Sequence, residues 1–304
     1  MAYLDQKNKV ILEYLFQDAR YTTKELAKFA KITQPAAYTR LKRLENEKFI
    51  LRYDAIINYQ LMPFIKKSYL CNLNEEQTRK IREKKECVVL ITNIGQYKHH
   101  LTCWFKNKTQ QKKFERLLPR KREEFILGKV YTKNSSIFDL SIKNKKLAYK
   151  EKELKLTKED VKFLKAFCEG GVKKTLKELS HETGLSIDVV YYRKKRLISN
   201  GYFTYFVAQP GFGIIHLDFS YIYIKTNKKT FPDISRMPLF AETNKGVLLG
   251  FFSKDINDFN STIDKIYDYY RNDCHSSVLV TNKEHIILNR YPFEFLFSEK
   301  TKRN

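Results

Sequence analysis

Two stretches of the chain, 153 residues apart, repeat one pattern of arginine, lysine and hydroxyl side chains. Arginine can offer two donors to O6 and N7 of guanine, and lysine can neutralise a phosphate. Hydroxyl and amide groups at the start of a helix can reach phosphate or a base edge. The side chains that we predict to contact DNA in this way are Thr33, Gln34, Thr39, Arg40, Lys42, Arg43, Arg52, Ser186, Tyr192, Arg193, Lys195 and Arg196.

The first set requires a helix–turn–helix to position it, and residues 22–50 predict one. Thr23 is expected to cap a short helix with one apolar face. Thr33 is expected to cap a longer helix, residues 33–48, with Pro35 in its first turn, where a missing N–H costs nothing. Apolar residues at i, i+4 and i+7 of that helix form one stripe, and the basic residues between them should face solvent. This is the geometry that fits a major groove.

The same unit occurs twice. Residues 24–50 overlay residues 177–203 without a gap, so the second recognition helix is predicted at residues 186–200. A repeat of this length indicates an internal duplication. The identical pairs are Lys24/Lys177, Glu25/Glu178, Leu26/Leu179, Tyr38/Tyr191, Arg40/Arg193, Lys42/Lys195, Arg43/Arg196 and Leu44/Leu197.

The remaining pattern predicts an α+β chain of four domains. A first helix and a strand-like run that could fold into a two-stranded wing complete a winged helix–turn–helix at residues 1–59 and again at 154–207. The order strand–helix–strand–strand–helix–strand predicts a ferredoxin-like (βαββαβ) regulatory domain at residues 64–147. A second one is predicted at residues 212–298. The fold class is therefore two winged helix–turn–helix domains, each followed by a ferredoxin-like domain.

Charge favours an anionic partner. The net charge is +24, of which residues 1–150 hold +18 and residues 151–304 hold +6. A field of this sign attracts polyanions, double-stranded DNA first. A bias toward Lys, Asn, Ile, Tyr and Phe can also arise from AT-rich coding, so charge alone decides nothing. No run approaches the ~18 apolar residues that span a bilayer, which predicts a cytoplasmic protein with no membrane partner.

Residue types that signal catalysis are scarce. The five cysteines are scattered and form no CxxC pair, which predicts reduced thiols and no metal site. Paired carboxylates, a Ser/His/Asp arrangement and a phosphate-binding glycine loop are all missing from the sequence. The sequence therefore predicts no cofactor and a protein that is not an enzyme.

Several stretches resemble the Lrp/AsnC (feast/famine) transcription regulators. Residues 32–45, continuing into Phe49-Ile50, look like the recognition helix of that family. Gly95-Gln96-Tyr97 and Phe105-Lys106-Asn107 are similar to two turns of its regulatory domain, and residues 252–255 repeat the second turn. The resemblance implies two tandem units, each pairing a DNA-binding domain with a domain that dimerises and often binds an amino acid. Within one chain, the two regulatory domains would form an internal pseudo-dimer that could build a higher homo-oligomer.

Some positions depart from the family. Lys98 stands where an acidic residue is usual, Lys48 stands where glycine is usual, and the second copy lacks the glycine–x–tyrosine element. These departures argue against a conventional amino-acid effector site. Lys194 replaces the core-facing Leu41, so its stem must reach past the core or the helix must rotate.

Three other readings stay open from the sequence. Siroheme decarboxylases resemble paired Lrp/AsnC units and use histidine and arginine beside a tetrapyrrole. His99-His100 is the one histidine pair in the chain, and strand alternation should send its members to opposite faces. The lysine-rich first half would also suit a sequence-tolerant architectural DNA-binding protein. An adaptor that holds protein with its winged helices is the third.

Overall fold

The chain, in a computed structural model, is a mixed α+β protein whose structure describes residues 4–94, 97–132, 151–211, 218–232, 234, 237 and 239–289. It divides into two compact units. Unit 1 comprises Met1–Leu61 and Thr132–Leu217, and unit 2 comprises Met62–Tyr131 and Asp218–Asn304. In the described part, no helix is both long and apolar enough to cross a membrane.

The chain passes from unit 1 to unit 2 in its first half and does so again in its second half. The first half contains α1 (Gln6–Gln17), α2 (Thr23–Ala30), α3 (Gln34–Asn46), β1 (Ile50–Ile57), β2 (Ile65–Cys71), α4 (Glu75–Arg82), β3 (Cys87–Ile94), β4 (His99–Phe105), α5 (Lys108–Glu115), β5 (Arg122–Phe125) and β6 (Leu127–Thr132). The second half contains α6 (Lys158–Cys168), α7 (Leu176–Thr183), α8 (Ile187–Ser199), β7 (Phe203–Pro210), β8 (Asp218–Thr226), β9 (Leu239–Thr243), β10 (Gly246–Ser253), α9 (Ile256–Tyr270) and β11 (Cys274–Asn289).

Helix starts in unit 1 follow local side-chain chemistry. Thr22, not Thr23 as predicted, caps α2: its hydroxyl accepts from the Glu25 N–H, and the Glu25 carboxylate accepts from the Thr22 N–H. This reciprocal capping box needs a Glu or Gln at the third helical position, and Glu25 lies three residues after Thr22 but only two after Thr23. Thr33 and Ser186 cap α3 and α8 as predicted.

The strand that follows each three-helix segment does not fold back into a hairpin. The expected two-stranded wing within residues 49–59 is wrong, because β1 is one continuous strand. It pairs antiparallel with β7, and Asp54 lies opposite Val207 in the register. The run between Ile50 and Ile57 contains no glycine, proline or asparagine to turn the chain, so its polar backbone groups pair with a distant strand.

Unit 2 is built on one nine-stranded sheet. Its strand order is β5-β2-β4-β3-β11-β8-β10-β9-β6. The first four strands and the next four each follow the interleaved order of a ferredoxin-like sheet, and β3 joins the two sets by pairing antiparallel with β11. The predicted βαββαβ succession is present from β2 to β5, whereas the second set contains α9 as its one helix among the described residues. The four predicted domain boundaries stay predictions.

A helix-covered apolar layer forms one core of unit 2. Tyr69, Leu101 and Phe105 of the sheet pack there with Ile81 of α4 and Phe114 of α5. Period-two alternation places these strand residues on one face and their neighbours on the other. The thiols of Cys71, Cys103 and Cys168 are buried and form no disulfide.

The capping assignment predicts a difference between two adjacent threonines. Thr22→Ala removes the hydroxyl that accepts from the Glu25 N–H and should lower the free energy of unfolding by about 1 kcal/mol. The matched control Thr23→Ala changes a residue inside the first turn and should alter it by less than about 0.5 kcal/mol. Urea unfolding followed by circular dichroism measures both, and equal effects would contradict the assignment.

Candidate nucleic-acid interface

The first helix–turn–helix holds α3 by a tight turn and an apolar stripe. Lys31 ends α2 in the left-handed region at φ 52°, and its N–H donates to the Ala27 carbonyl. After that turn α3 begins, with Ala37, Leu41 and Leu44 buried against the unit. The stripe fixes the rotation of the helix, so its opposite face is directed to solvent.

The outward face of α3 is polar and basic. Gln34, Tyr38, Thr39 and Lys42 are exposed on it. The Thr39 hydroxyl donates to the Pro35 carbonyl at 3.1 Å, which leaves its acceptor lone pairs directed outward. The Lys42 ammonium donates to Glu45 at 2.8 Å, and this hydrogen bond raises the pKa of Lys42 above its usual value. The face can donate to phosphate and to base edges.

The two arginines of α3 are already engaged. Arg40 donates from Nη1 to Asp5 at 2.5 Å and to Asn8 at 3.0 Å, so it joins α3 to the start of α1. Arg43 donates from Nε to Glu47 at 2.7 Å within its own helix, as its spacing allowed, and its side chain is 61% exposed. Arg40 therefore acts within the fold, whereas Arg43 can exchange Glu47 for another anion.

The equivalent arginines of α8 are held more deeply. Arg193 donates to Asp160 at 2.8 Å and to Glu159 at 2.6 Å, and Arg196 donates to both oxygens of Asp160 at 2.9 Å. The arginine side chains are 14% and 20% exposed, and the Asp160 carboxylate is fully buried. One carboxylate of α6 thus binds two guanidinium groups of α8.

The other predicted residues divide between surface and fold. Arg52 donates to the buried Asp54 at 2.8 Å, which ties this predicted phosphate contact to β1. Lys194 is half-buried, and its ammonium lies 5.3 Å from the Phe167 ring. Burial lowers the pKa of Lys194. The stem of Lys194 therefore lies along the core, and α8 is not rotated to expose it. Exposed positions are Thr33, Gln34, Thr39, Lys42, Arg43 and Arg52 in the first helix–turn–helix segment and its strand, and Ser186, Tyr192 and Lys195 in the second segment.

The outward faces of the two copies differ in charge. Lys28 and Lys31 of the first copy are exposed, and His181 and Gly184 take their places in the second. In addition, the second copy exposes Glu182 where the first has Phe29. The first face has the sign that DNA attracts, and the second has lost most of it.

Unit 2 contains a buried polar group of a different kind. On the sheet face opposite α4 and α5, His100 makes a 2.9 Å hydrogen bond between Nδ1 and the Tyr221 hydroxyl. Burial, assisted by the charge of Lys66, lowers the pKa of His100 to about 4, so the ring is neutral at pH 7. Burial alone lowers the pKa of Lys66 to about 7. The Nε2 atom of His100 has no hydrogen-bond partner in the described part of the chain.

His99 points away from that group, as alternation predicted. Its Nδ1 accepts from the Leu73 N–H at 3.2 Å, and burial lowers its pKa. No cluster of three or more metal-binding side chains occurs among the described residues.

Two charged residues of these candidate sites were not identified from the sequence. Asp160 was a helix-start residue with no evident partner, because the arginines it binds lie 33 and 36 positions away. Lys66 sits on a strand whose alternation with Ser68 and Leu70 could have placed it inside, but a lysine is rarely buried.

Comparison with known proteins separates the DNA-binding segment from the whole chain. Residues 4–50, which span α1 to α3, match the family of winged helix-turn-helix DNA-binding domains. The prediction of such a domain is confirmed there. No curated protein sequence matches the chain.

Two of the matching solved structures cover nearly the whole chain, and a third covers part of it. The siroheme decarboxylase NirDL covers 97% of this chain and 99% of its own at 9% identity and a TM-score of 0.58. Its co-complex with an iron-uroporphyrin III analogue covers 96% of both chains at 9% identity and a TM-score of 0.60. An AsnC family transcriptional regulator from Agrobacterium tumefaciens covers 40% of this chain and 87% of its own, at 16% identity and a TM-score of 0.33.

These matches correct one prediction. The sequence predicted a protein that is not an enzyme, and this is contradicted, because the structures that share nearly the whole chain are those of an enzyme. At 9% identity the likeness is one of fold. The scarcity of catalytic signatures in the sequence could not exclude an enzyme, because such signatures cover only the chemistries that have short motifs.

The buried ion pairs between α6 and α8 predict that loss of Asp160 destabilises the protein more than loss of Asp5 does. Asp160→Asn removes the charge shared by Arg193 and Arg196 and should lower the free energy of unfolding by about 3 kcal/mol. Asp5→Asn is the matched control: Asp5 is 44% exposed, Arg40 is its ion-pair partner, and asparagine can keep the cap that Asp5 gives to the Asn8 N–H, so the loss should stay below about 1 kcal/mol. Chemical denaturation measures both, and equal losses would contradict the shared-carboxylate role.

The hydrogen bonds of Asp160 also predict how the free energy of unfolding depends on pH in acid. Burial acts to raise the pKa of Asp160, but the Thr157 N–H and Arg196 outweigh it and hold the pKa below its usual value. Its contribution to stability is therefore complete above about pH 4, the unfolded pKa, and is lost as the pH falls through the lower folded pKa.

Proposed function

We propose that the chain is a sequence-specific DNA-binding regulator of the Lrp/AsnC type and that α3 is its reading helix. The observation that carries this proposal is the coincidence of the winged helix-turn-helix match at residues 4–50 with a helix whose outward face is polar and basic. The proposal includes the tandem organisation: two helix–turn–helix segments and two ferredoxin-like segments from one duplicated unit, with effector identity left to experiment.

The contacts follow from the exposed side chains. Gln34 at the first helical position can donate and accept with the N6 and N7 of adenine. Thr39 and Arg43 lie further along the exposed helix and can reach neighbouring bases or the backbone. Lys42 and the nearby Lys31 would neutralise phosphates, which position the helix without reading sequence. Arg40 keeps the helix at its angle to α1 through Asp5.

This assignment predicts that Gln34 and Lys42 act differently. Gln34→Ala should cost about 1–3 kcal/mol on the selected DNA site and relax the preference at one base pair. Lys42→Ala should weaken specific and random DNA alike and reduce the salt slope of binding by about 1. The matched control Lys195→Ala, at the equivalent position of α8, should leave both unchanged.

Selection from a random duplex library, followed by anisotropy titrations over a salt series, makes these measurements. A protein that retains random and selected DNA equally as salt rises would be an architectural binder instead. A wild-type chain that selects no sequence, or a Gln34 variant that recovers the same sequence at the same affinity, would contradict the reading role of α3.

A second candidate function is catalysis on a tetrapyrrole. The observation that favours it is the fold shared along nearly the whole chain with siroheme decarboxylase NirDL, which was solved with an iron-uroporphyrin III analogue. In this chain His100 offers the reactive nitrogen: its Nδ1 is oriented by Tyr221, and its ring is neutral at pH 7. Lys66 would supply a positive charge near it once protonated.

The second candidate predicts tetrapyrrole binding that depends on the buried histidine. Titration of the chain with iron-uroporphyrin III, followed by its absorbance, should saturate for the wild type. His100→Asn should weaken binding at least about tenfold, whereas the control His181→Asn, an exposed histidine of α7, should bind as the wild type does. No saturable change in absorbance, or equal affinities for both variants, would eliminate this candidate.

A further inference from the structure

The outward face of α8 exposes two more large apolar side chains than that of α3, since one tyrosine position is common to both. Ile187, Tyr191 and Tyr192 are 47%, 55% and 58% exposed, and they are three of the eight large apolar side chains exposed in the described part of the chain. At the equivalent positions α3 carries Gln34, Tyr38 and Thr39. Large apolar side chains grouped on one helix face, rimmed by polar ones, are typical of a surface that contacts protein.

Charge argues against DNA as the ligand of this face. Asp188 is exposed in the first turn of α8, where α3 has Pro35, and Glu182 of the adjacent helix is exposed as well. Acidic groups at the start of a reading helix would repel phosphate, which in the first copy meets lysines. The two copies therefore present surfaces suited to different partners.

The aromatic face is preorganised. The Arg193 guanidinium lies 5.7 Å from the Tyr192 ring, and it is itself held by Asp160 and Glu159. A ring supported by a fixed cation loses little freedom on binding, which lowers the entropic cost of association. The ion pairs of α8 thus support an interface as well as the fold.

The sequence of the face is complementary to itself. Asp188 lies three residues before Tyr191, and Lys195 lies three residues after Tyr192, on the same exposed face of the helix. When two such helices pack antiparallel about a twofold axis, the tyrosines meet at the centre and each aspartate faces the lysine of the other copy. The outward face of α3 has no acid at the equivalent of Asp188 and cannot pair in this way.

We infer that α8 is a dimerisation surface whose occupant is a second copy of this chain, packed antiparallel through Ile187, Tyr191 and Tyr192. The interface is independent of DNA binding by α3, and one helix face per copy corresponds to a weak association. It would place two α3 helices in one assembly.

Charge reversal on α8 of the full chain tests this inference. Sedimentation velocity over a concentration series to about 100 μM should give a monomer–dimer equilibrium for the wild type. Asp188→Lys or Lys195→Asp alone should raise the dimer dissociation constant at least about tenfold, because like charges then face each other. The double variant with both changes should restore it to within about threefold of the wild type. Lys42→Asp on α3 is the matched control and should leave the constant unchanged.

A variant that changes no charge tests the same interface independently. Tyr192→Thr installs the residue that α3 has at this position and should weaken the dimer as strongly as either reversal, while Tyr38→Thr should not. Thermal unfolding checks that each variant is folded. A monomeric wild type at every concentration, single reversals without effect, or a double variant that fails to recover would each overturn the inference. So would a loss of DNA affinity for Lys195→Asp that matches the loss for Lys42→Asp.

Discussion

The outer helix of each helix–turn–helix is held in place by an arginine bound to a carboxylate of the first helix of its segment. Arg40 reaches Asp5 at the start of α1, and Arg193 reaches Asp160 at the start of α6. Each pair fixes the angle between two helices and removes that arginine from the outward face. The chemistry left for recognition is therefore decided by other side chains, and these differ between α3 and α8.

Depth of burial makes the two pairs unequal. Asp5 lies near the surface and serves one arginine, whereas Asp160 is fully buried and serves two. Loss of either guanidinium would leave the charge of a buried carboxylate poorly compensated, so α8 has less freedom to release its arginines to DNA. The basic face of α3 and the aromatic, partly acidic face of α8 are consistent with that difference. Unit 2 contains a separate buried polar group, the neutral His100 bound to Tyr221, which belongs to neither helix.

Local signals predicted most of the helices and little of their pairing. The caps at Thr33 and Ser186 and the buried stripe of α3 follow from residues a few positions apart, and the structure has them. The partner of Arg40 is 35 residues away, and β1 pairs with a strand of the other copy, so neither could be found by a local pattern. An arginine on an amphipathic helix looks the same in sequence whether it faces DNA or an acid of a neighbouring helix. Likewise, no short motif indicated the fold that the chain shares with an enzyme, so the prediction of a protein that is not an enzyme was wrong.

Hydrogen–deuterium exchange of the full chain with and without its selected duplex tests the central claim most directly, because it reports on both helices at once. The account predicts that DNA slows exchange in residues 34–46 and leaves residues 187–199 unchanged. Protection confined to residues 187–199, or equal protection of both helices, would contradict it.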